Sequence, residues 1–376
     1  MESGALAASM IGSARGLAES QGAAGRLVRT LRLGDPNRAD APPLNQLLGS
    51  GLDARLFTDL SALDAGAMIT PNDRFYIRTA CPNEANARRP WTIALGGRVR
   101  RPATVTLDTL ERLVAPMGAH LLECSGNSNP NNYGLMSVAR WDGIAIGTLL
   151  DRAQPSSRDT RVLISGMDDE RRASVTSTPG ASWIFSRDDL ERARAFLATR
   201  MNGVPLPRHH GAPGRLIVPG WYGCTCIKWV NRIDLVDDSV EATSQMQEFA
   251  ARTHQPRGAR LAREFEPAVI DTAALPIRVE QRIIDNRVIY RVVGILWGGS
   301  QPTNALQIRF RSGERWEEVT DCPRPATTAT WSLWSHLWRP REPGPYDIVL
   351  RVNDPTIRTR RLDLYFYVRT VDIIET

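Results

Sequence analysis

Two short segments gather the residues able to do redox or group-transfer chemistry. The first, Leu121-Leu122-Glu123-Cys124-Ser125-Gly126-Asn127-Ser128-Asn129, ends an apolar run on a cysteine and follows it with a Gly/Asn/Ser turn. A cysteine so placed sits at a strand mouth, where its thiolate binds a soft metal or attacks an electrophile; the alternative is a cysteine that merely fills a core. The second packs Arg208-His209-His210-Gly211-Ala212-Pro213-Gly214-Arg215, then Gly220-Trp221-Tyr222-Gly223, ahead of Cys226-Ile227-Lys228-Trp229. Glycines let backbone amides approach an anion, while Arg215 offers a fork and Lys228 a point charge, which outlines a site for a phosphate-bearing cofactor. A Gly/Pro-rich surface loop with solvated charges is the competing reading. Lys228 is the sole lysine among 47 basic residues, so a compact ammonium is kept here in an otherwise arginine-only chain.

Together these segments resemble the molybdenum-cofactor domain of the sulfite oxidase family, with its Cys-x-Gly-Asn turn and later H-G-x-P-x-R-x-x-V-P-G and K-W elements. Here they read Cys124-Ser125-Gly126-Asn127, His210 through Gly220, and Lys228-Trp229. The resemblance takes in Thr70-Pro71-Asn72-Asp73-Arg74-Phe75-Tyr76-Ile77-Arg78, Ala139-Arg140-Trp141-Asp142-Gly143 and Gly166-Met167-Asp168. The last hundred residues are similar to that family's immunoglobulin-like dimerisation domain, so the likeness covers roughly residues 60–376. It implies a Mo-molybdopterin cofactor with Cys124 as the thiolate ligand of molybdenum. It places Tyr76, Ile77, Arg78, Asp168, His210, Arg215, Cys226, Ile227 and Lys228 along the pyranopterin and its phosphate. The implied chemistry is oxo transfer to a small sulfur oxyanion, sulfite or a related compound, held bidentately by arginine, with Arg78 the first candidate and Arg140 the second. The chain has no C-x-x-C-H haem motif, so an external c-type cytochrome is the expected electron acceptor, and a homodimer through the second domain the expected assembly.

This chain departs from the family pattern at the substrate end. Sulfite oxidases carry Arg-Arg after the Cys-x-Gly-Asn turn, where Ser128-Asn129 stand here, and Arg78 is followed by Thr79-Ala80 in place of Asn-His. Residues 244–254 hold no counterpart of the family's active-site tyrosine; Phe249 is the nearest aromatic, and Arg252 and His254 are left to handle a proton there. The Cys124-to-Ser128 turn is closer to the sulfane dehydrogenase molybdenum subunit, which works on protein-bound sulfur, and that activity is the alternative reading. A metal-free scaffold retaining the fold is another. A cysteine hydrolase pairing Cys124 with His209 or His210 lacks a G-x-C-x-G elbow, and the superfamily's monomeric methionine-sulfoxide reductases lack the immunoglobulin-like domain.

The elements that must position these residues read as an α+β domain followed by a β-sandwich. Strand-like runs at 75–79, 91–95, 162–165 and 216–218 alternate with helical ones at 107–114, 146–153 and 187–198. From Leu275 onward, runs at 277–279, 288–296, 306–310, 330–337, 346–352 and 362–371 are punctuated by turn signals, with Trp331, Trp334 and Trp338 as sandwich core. The resulting division is 1–25, 26–65 as an extended arm carrying no chemistry, 66–250 as the cofactor domain, a polar linker over 239–263, and 265–376 as the second domain.

At 376 residues the chain exceeds what one hydrophobic core organises, and 42% hydrophobic with 23% charged residues is ordinary for a globular protein. The longest uncharged stretch, Val292 to Ile308, carries Gly298, Gln301, Pro302 and Asn304 and is too polar to span a bilayer. A net charge of +6 without a basic block interleaved with aromatics argues against nucleic-acid binding. Five cysteines are no disulfide framework. Residues 3–14 resemble the hydrophobic region of an export signal without its basic start. A truncated twin-arginine signal, which places the protein in the periplasm, and a flexible arm on a cytoplasmic protein are the two readings.

Overall fold

Long β-branched and aromatic runs with period-two burial build this chain almost entirely from sheets, in a computed structural model that describes residues 25–31, 33, 42–83, 85, 90–130, 133–156, 161–167 and 180–375. The export-like segment and Asp168 lie outside the described residues. The strands are β1 (Arg26–Leu31), β2 (Arg55–Leu56), β3 (Ile77–Arg78), β4 (Thr92–Gly97), β5 (Ala103–Thr106), β6 (Ala115–Glu123), β7 (Met136–Ala145), β8 (Arg161–Gly166), β9 (Ser182–Ser186), β10 (Phe196–Met201), β11 (Val204–Pro205), β12 (Arg215–Ile217), β13 (Val230–Val236), β14 (Ala273–Ile284), β15 (Arg287–Trp297), β16 (Leu306–Arg309), β17 (Glu317–Glu318), β18 (Ser332–Trp338), β19 (Gly344–Val352) and β20 (Arg369–Ile373). Short helices α1 (Leu107–Leu110), α2 (Ile146–Ala153), α3 (Arg187–Arg192) and α4 (Ser244–Phe249) sit between them.

The first domain holds two five-stranded sheets. One is mixed, in the order β5-β4-β13-β8-β9, with β13 parallel to β4; the other runs β11-β10-β7-β6, with β12 also pairing to β10. The second domain stacks β1-β14-β15-β18 against β17-β16-β19-β20. Val279, Tyr290, Val292, Ile308, Trp334, Ile348 and Val371 fill one core there, as the alternation in those strands requires. Trp331 and Trp334 are buried in it and Trp338 stacks on Phe310 at 4.0 Å, as expected of strand residues.

Strand β6 belongs to both cores. Leu122 and Cys124 face the first domain's interior, whereas Leu121 packs with the second domain's, joined by Tyr133, Met136 and Val138. Glu123 therefore points at the second domain and Cys124 away from it.

Three expectations are corrected. The helical run over 187–198 ends at Arg192: Arg194 adopts φ 52°, and Phe196–Met201 becomes a central strand whose burial between β7 and β12 outweighs the Leu/Ala/Arg helix preference. The polar linker is not a bare connection. Thr243 caps α4 through its side chain, and α4 drives Met246 and Phe249 into the first core. The arm supplies β1 to the second domain's sheet and β2, which pairs Arg55 with Arg78.

Candidate active site

Cys124 follows β6 directly, and the turn after it is fixed by its own backbone. Cys124 N–H donates to the Leu135 carbonyl at 2.9 Å and Asn127 N–H to the Cys124 carbonyl at 3.0 Å. The buried Asn127 side chain closes the loop by donating to Tyr133 O at 3.1 Å and accepting from Leu135 N–H at 3.2 Å. This is what the asparagine of the turn does: without it two backbone groups of residues 133–135 would be left unpaired in the interior.

The thiol opens on a cavity that Tyr76, Arg78, His210, Arg215 and Lys228 also line. Cys226 and Ile227 complete the wall with Cys224. Eight of the residues named from the sequence thus converge on one space. Ile77 does not: it lies between Tyr76 and Arg78 on β3, is buried, and is absent from the lining, as alternation along a strand dictates. Asp168 lies outside the described residues.

The cationic end is built from backbone carbonyls. Lys228 Nζ donates to Thr79 O at 2.5 Å and His209 O at 2.9 Å and lies 4.5 Å from the centre of the Trp229 ring, tying three segments together. Arg215 donates to His210 O at 3.3 Å, but its buried Nε has no partner among the described residues. Gly211, at φ 112°, is packed so tightly that a Cβ would meet Arg215 and Lys228 within 3.0–3.2 Å. A Cβ on Gly223 would overlap the Tyr76 hydroxyl. Burial holds the Tyr76 phenol above its ordinary value and raises the Cys224 and Cys226 thiols, so these stay protonated at neutral pH.

His210 is neutral. Burial pushes its pKa down to about 3, outweighing the bond from Nε2 to Asn72 O at 2.9 Å. Because a carbonyl only accepts, Nε2 carries the proton and Nδ1 is a bare acceptor. The unfolded ring binds its proton near pH 6.5. The stability His210 contributes is therefore complete above that pH and is lost as pH falls from 6.5 towards 3. His210→Gln, which keeps a donor for Asn72, is expected to lose about 2–3 kcal/mol less stability than the parent between pH 7 and 4.5. Urea unfolding at the two pH values reads this, and parallel losses in both proteins would refute it.

Arginines surround the thiol. Arg55 and Arg78 both donate to Leu52 O, at 3.0 and 2.8 Å. Burial, then the repulsion of Arg78, lowers Arg55 to about 10, with Cys124 among the groups opposing the drop. Arg252 lies beside Gly126: a Cβ there would sit 3.2 Å from its guanidinium and 3.8 Å from Cys124 Sγ. Its guanidinium stacks 5.5 Å from the Phe249 ring, and Gln245 Nε2 donates to Cys224 O, so α4 forms one wall of the site. The sequence carries no signal for Arg55, whose place depends on the β2–β3 register; Gln245 and Phe249 are placed by α4, whose one local signal is the capping Thr243.

Among the described residues no group of three or more His, Cys, Asp or Glu is placed to hold a metal. A lone cysteine thiolate beside a roomy cavity suits a metal that arrives with ligands of its own. The orphaned Arg215 Nε and the Lys228 ammonium suit an anionic tail on that group. The residues present therefore fit a phosphate-bearing molybdenum cofactor.

Comparison with known proteins agrees. Residues 79–244 match the oxidoreductase molybdopterin binding domain. The chain is 26% identical over 314 residues to mitochondrial sulfite oxidase of Rattus norvegicus, covering 76% of this chain and 56% of that protein. It is 29% identical over 199 residues to the protein-methionine-sulfoxide reductase catalytic subunit MsrP of Xanthomonas axonopodis pv. citri (strain 306), covering 52% of this chain and 57% of that one. The chain spans just over half the length of these relatives. Its fold is shared with the sulfane dehydrogenase SoxCD from Paracoccus pantotrophus, at a TM-score of 0.63 and 17% identity over 92% of this chain and 91% of that one. Residues 79–244 thus match a molybdopterin-binding oxidoreductase domain, in a chain similar to sulfite oxidases over three quarters of its length and sharing the fold of a sulfane dehydrogenase.

Proposed function

We propose that this protein oxidises a small sulfur oxyanion, sulfite or a related compound, and passes the electrons to an external c-type cytochrome. The observation that carries this reading is the set of Arg55, Arg78 and Arg252 around Cys124, a cationic mouth for an anion beside the metal-ligand position. Cys124, Arg215, Lys228, His210 and Tyr76 would hold the cofactor, which when bound would supply a two-electron acceptor and oxygen-atom-transfer chemistry. Arg78, in the cavity wall, orients the oxyanion, Arg55 beside it adds positive charge, and Phe249 of α4 covers one side of the site. Tyr76 and neutral His210 hold their protons throughout the neutral range, which leaves the arginines and Lys228 as the fixed charges of the pocket. In the same reading the C-terminal sandwich is immunoglobulin-like and serves a homodimer.

Molybdenum analysis of the purified protein, with sulfite-dependent reduction of an artificial acceptor on the same sample, tests the proposal. Arg78→Met is expected to raise the KM for sulfite by about 10- to 100-fold, the worth of a charge-assisted hydrogen bond. Absence of molybdenum from protein made in a cofactor-competent host would refute the reading. A second reading rests on an open groove of about 1220 Å³ that Ser125, Gly126, Arg252, His254 and Arg358 line beside the Cys124 turn. Its open, cationic lining beside the Cys124 turn suits sulfur carried on a larger molecule, and metal without sulfite turnover would favour it.

A further inference from the structure

The second domain reaches into the first at the loop that carries Cys124. Leu121 N–H, on β6, donates to Ala329 O at 2.8 Å. One residue before Cys124, the buried Glu123 carboxylate receives Arg360 through both oxygens, at 2.7 and 2.8 Å, and Trp297 Nε1 at 2.8 Å. Tyr133, at the far end of the loop, donates its hydroxyl to the same carboxylate at 3.0 Å and meets Tyr367 at 3.0 Å. Arg369 donates to Pro130 O at 2.6 Å. Ala329, Trp297, Arg360, Tyr367 and Arg369 all belong to the second domain, and their targets all lie within residues 121–133.

A planar fork bonded to two carboxylate oxygens fixes orientation as well as distance, and a buried network gains rigidity with each member satisfied; here both terminal nitrogens of Arg360 are bonded, and its Nε has no partner among the described residues. Because β6 alternates, fixing Glu123 on the second domain's side fixes where Cys124 projects on the other. Asn127 ties the turn to Tyr133, and Tyr133 is held by Glu123 and Arg360, so the loop is closed at both ends by groups from the second domain. We propose that Arg360 and Arg369 are positioning residues for Cys124, and that the second domain completes the metal-ligand site in addition to any role in assembly. This rests on the reading of Cys124 as the metal ligand.

Hydrogen exchange on the full-length protein, read peptide by peptide, provides the test. In Arg360→Met the amides of residues 121–135 are expected to exchange at least tenfold faster, with β4 and β13 unchanged. Arg360→Lys, which meets the charge of Glu123 at one point but not through a fork, is expected to restore the unfolding midpoint while the loop still exchanges fast. Arg369→Gln leaves the ion pair intact and is expected to loosen residues 128–135 in a protein that folds whether or not Arg360→Met does. Unchanged exchange in the loop, or faster exchange everywhere alike, overturns the proposal. X-ray absorption at the molybdenum edge supplies a second readout, with fewer sulfur neighbours expected in Arg360→Met. A parent protein lacking molybdenum would instead sink the proposed function and leave the exchange result standing.

Discussion

Cys124→Ser is expected to leave a folded protein whose turnover per molybdenum falls on the order of 10³-fold, the scale of losing a group that acts at the reacting centre. The exchange of sulfur for oxygen is nearly isosteric, and Cys124 is buried in a turn held by backbone bonds and Asn127, so the fold does not depend on its side chain. The expected stability cost is about 1 kcal/mol. On the proposed function the chemistry depends on it fully: a serine hydroxyl is not ionised near neutral pH and is a hard donor, whereas a thiolate is the soft ligand that molybdenum bound to sulfur would match. Cys224 and Cys226 lie in the same cavity wall but are held protonated by burial, so neither substitutes for it. Steady-state kinetics normalised to metal content, beside thermal unfolding, reads both halves. Full turnover per molybdenum in Cys124→Ser would remove Cys124 from the mechanism.

The parts of the site that were legible in the sequence are those whose geometry is local. Cys124, Gly126 and Asn127 share one turn, and His210, Gly211 and Arg215 one short loop, so residue type and spacing nearly determine their arrangement. Arg55 became a site residue only through its pairing with Arg78 across 23 positions of chain, and no local pattern marks that register. The strand Phe196–Met201 lay hidden because its residues favour helix and only its place between β7 and β12 decides otherwise. Met246 and Phe249 were too sparse in a polar segment to announce a helix, although their spacing of three puts both on one face. Ile77 is the converse case: it shares the motif of Tyr76 and Arg78, yet alternation along β3 turns its side chain from the cavity that they line. The sandwich was the easier half, since Val and Ile at period two fill its core with no need of a polar partner.

Arg215→Met is expected to separate cofactor retention from fold stability, with opposite signs. Arg215 is a buried cation with one bond, to His210 O, one orphaned nitrogen and no carboxylate partner among the described residues; Lys228 adds a second positive charge to the same pocket. Without an anion to meet them, such charges are a cost, because desolvation is not recovered by pairing. Replacing Arg215 by an apolar chain of similar length removes that cost and eases the repulsion, so the cofactor-free protein should unfold at higher denaturant, by roughly 1 kcal/mol or more. The same change removes a charge-assisted fork to an anionic tail, worth about 1.5–3 kcal/mol, so molybdenum content should fall about 10- to 100-fold under limiting cofactor. Lys228→Met should behave differently. Lys228 Nζ already bonds Thr79 O and His209 O, so its loss frees two carbonyls and lowers stability and cofactor content together. Urea unfolding of both variants without cofactor, with metal analysis after exposure to it, distinguishes the two cations. If Arg215→Met lost stability as Lys228→Met does, Arg215 would be a structural prop, and the anion-binding end of the pocket would rest on Lys228 alone.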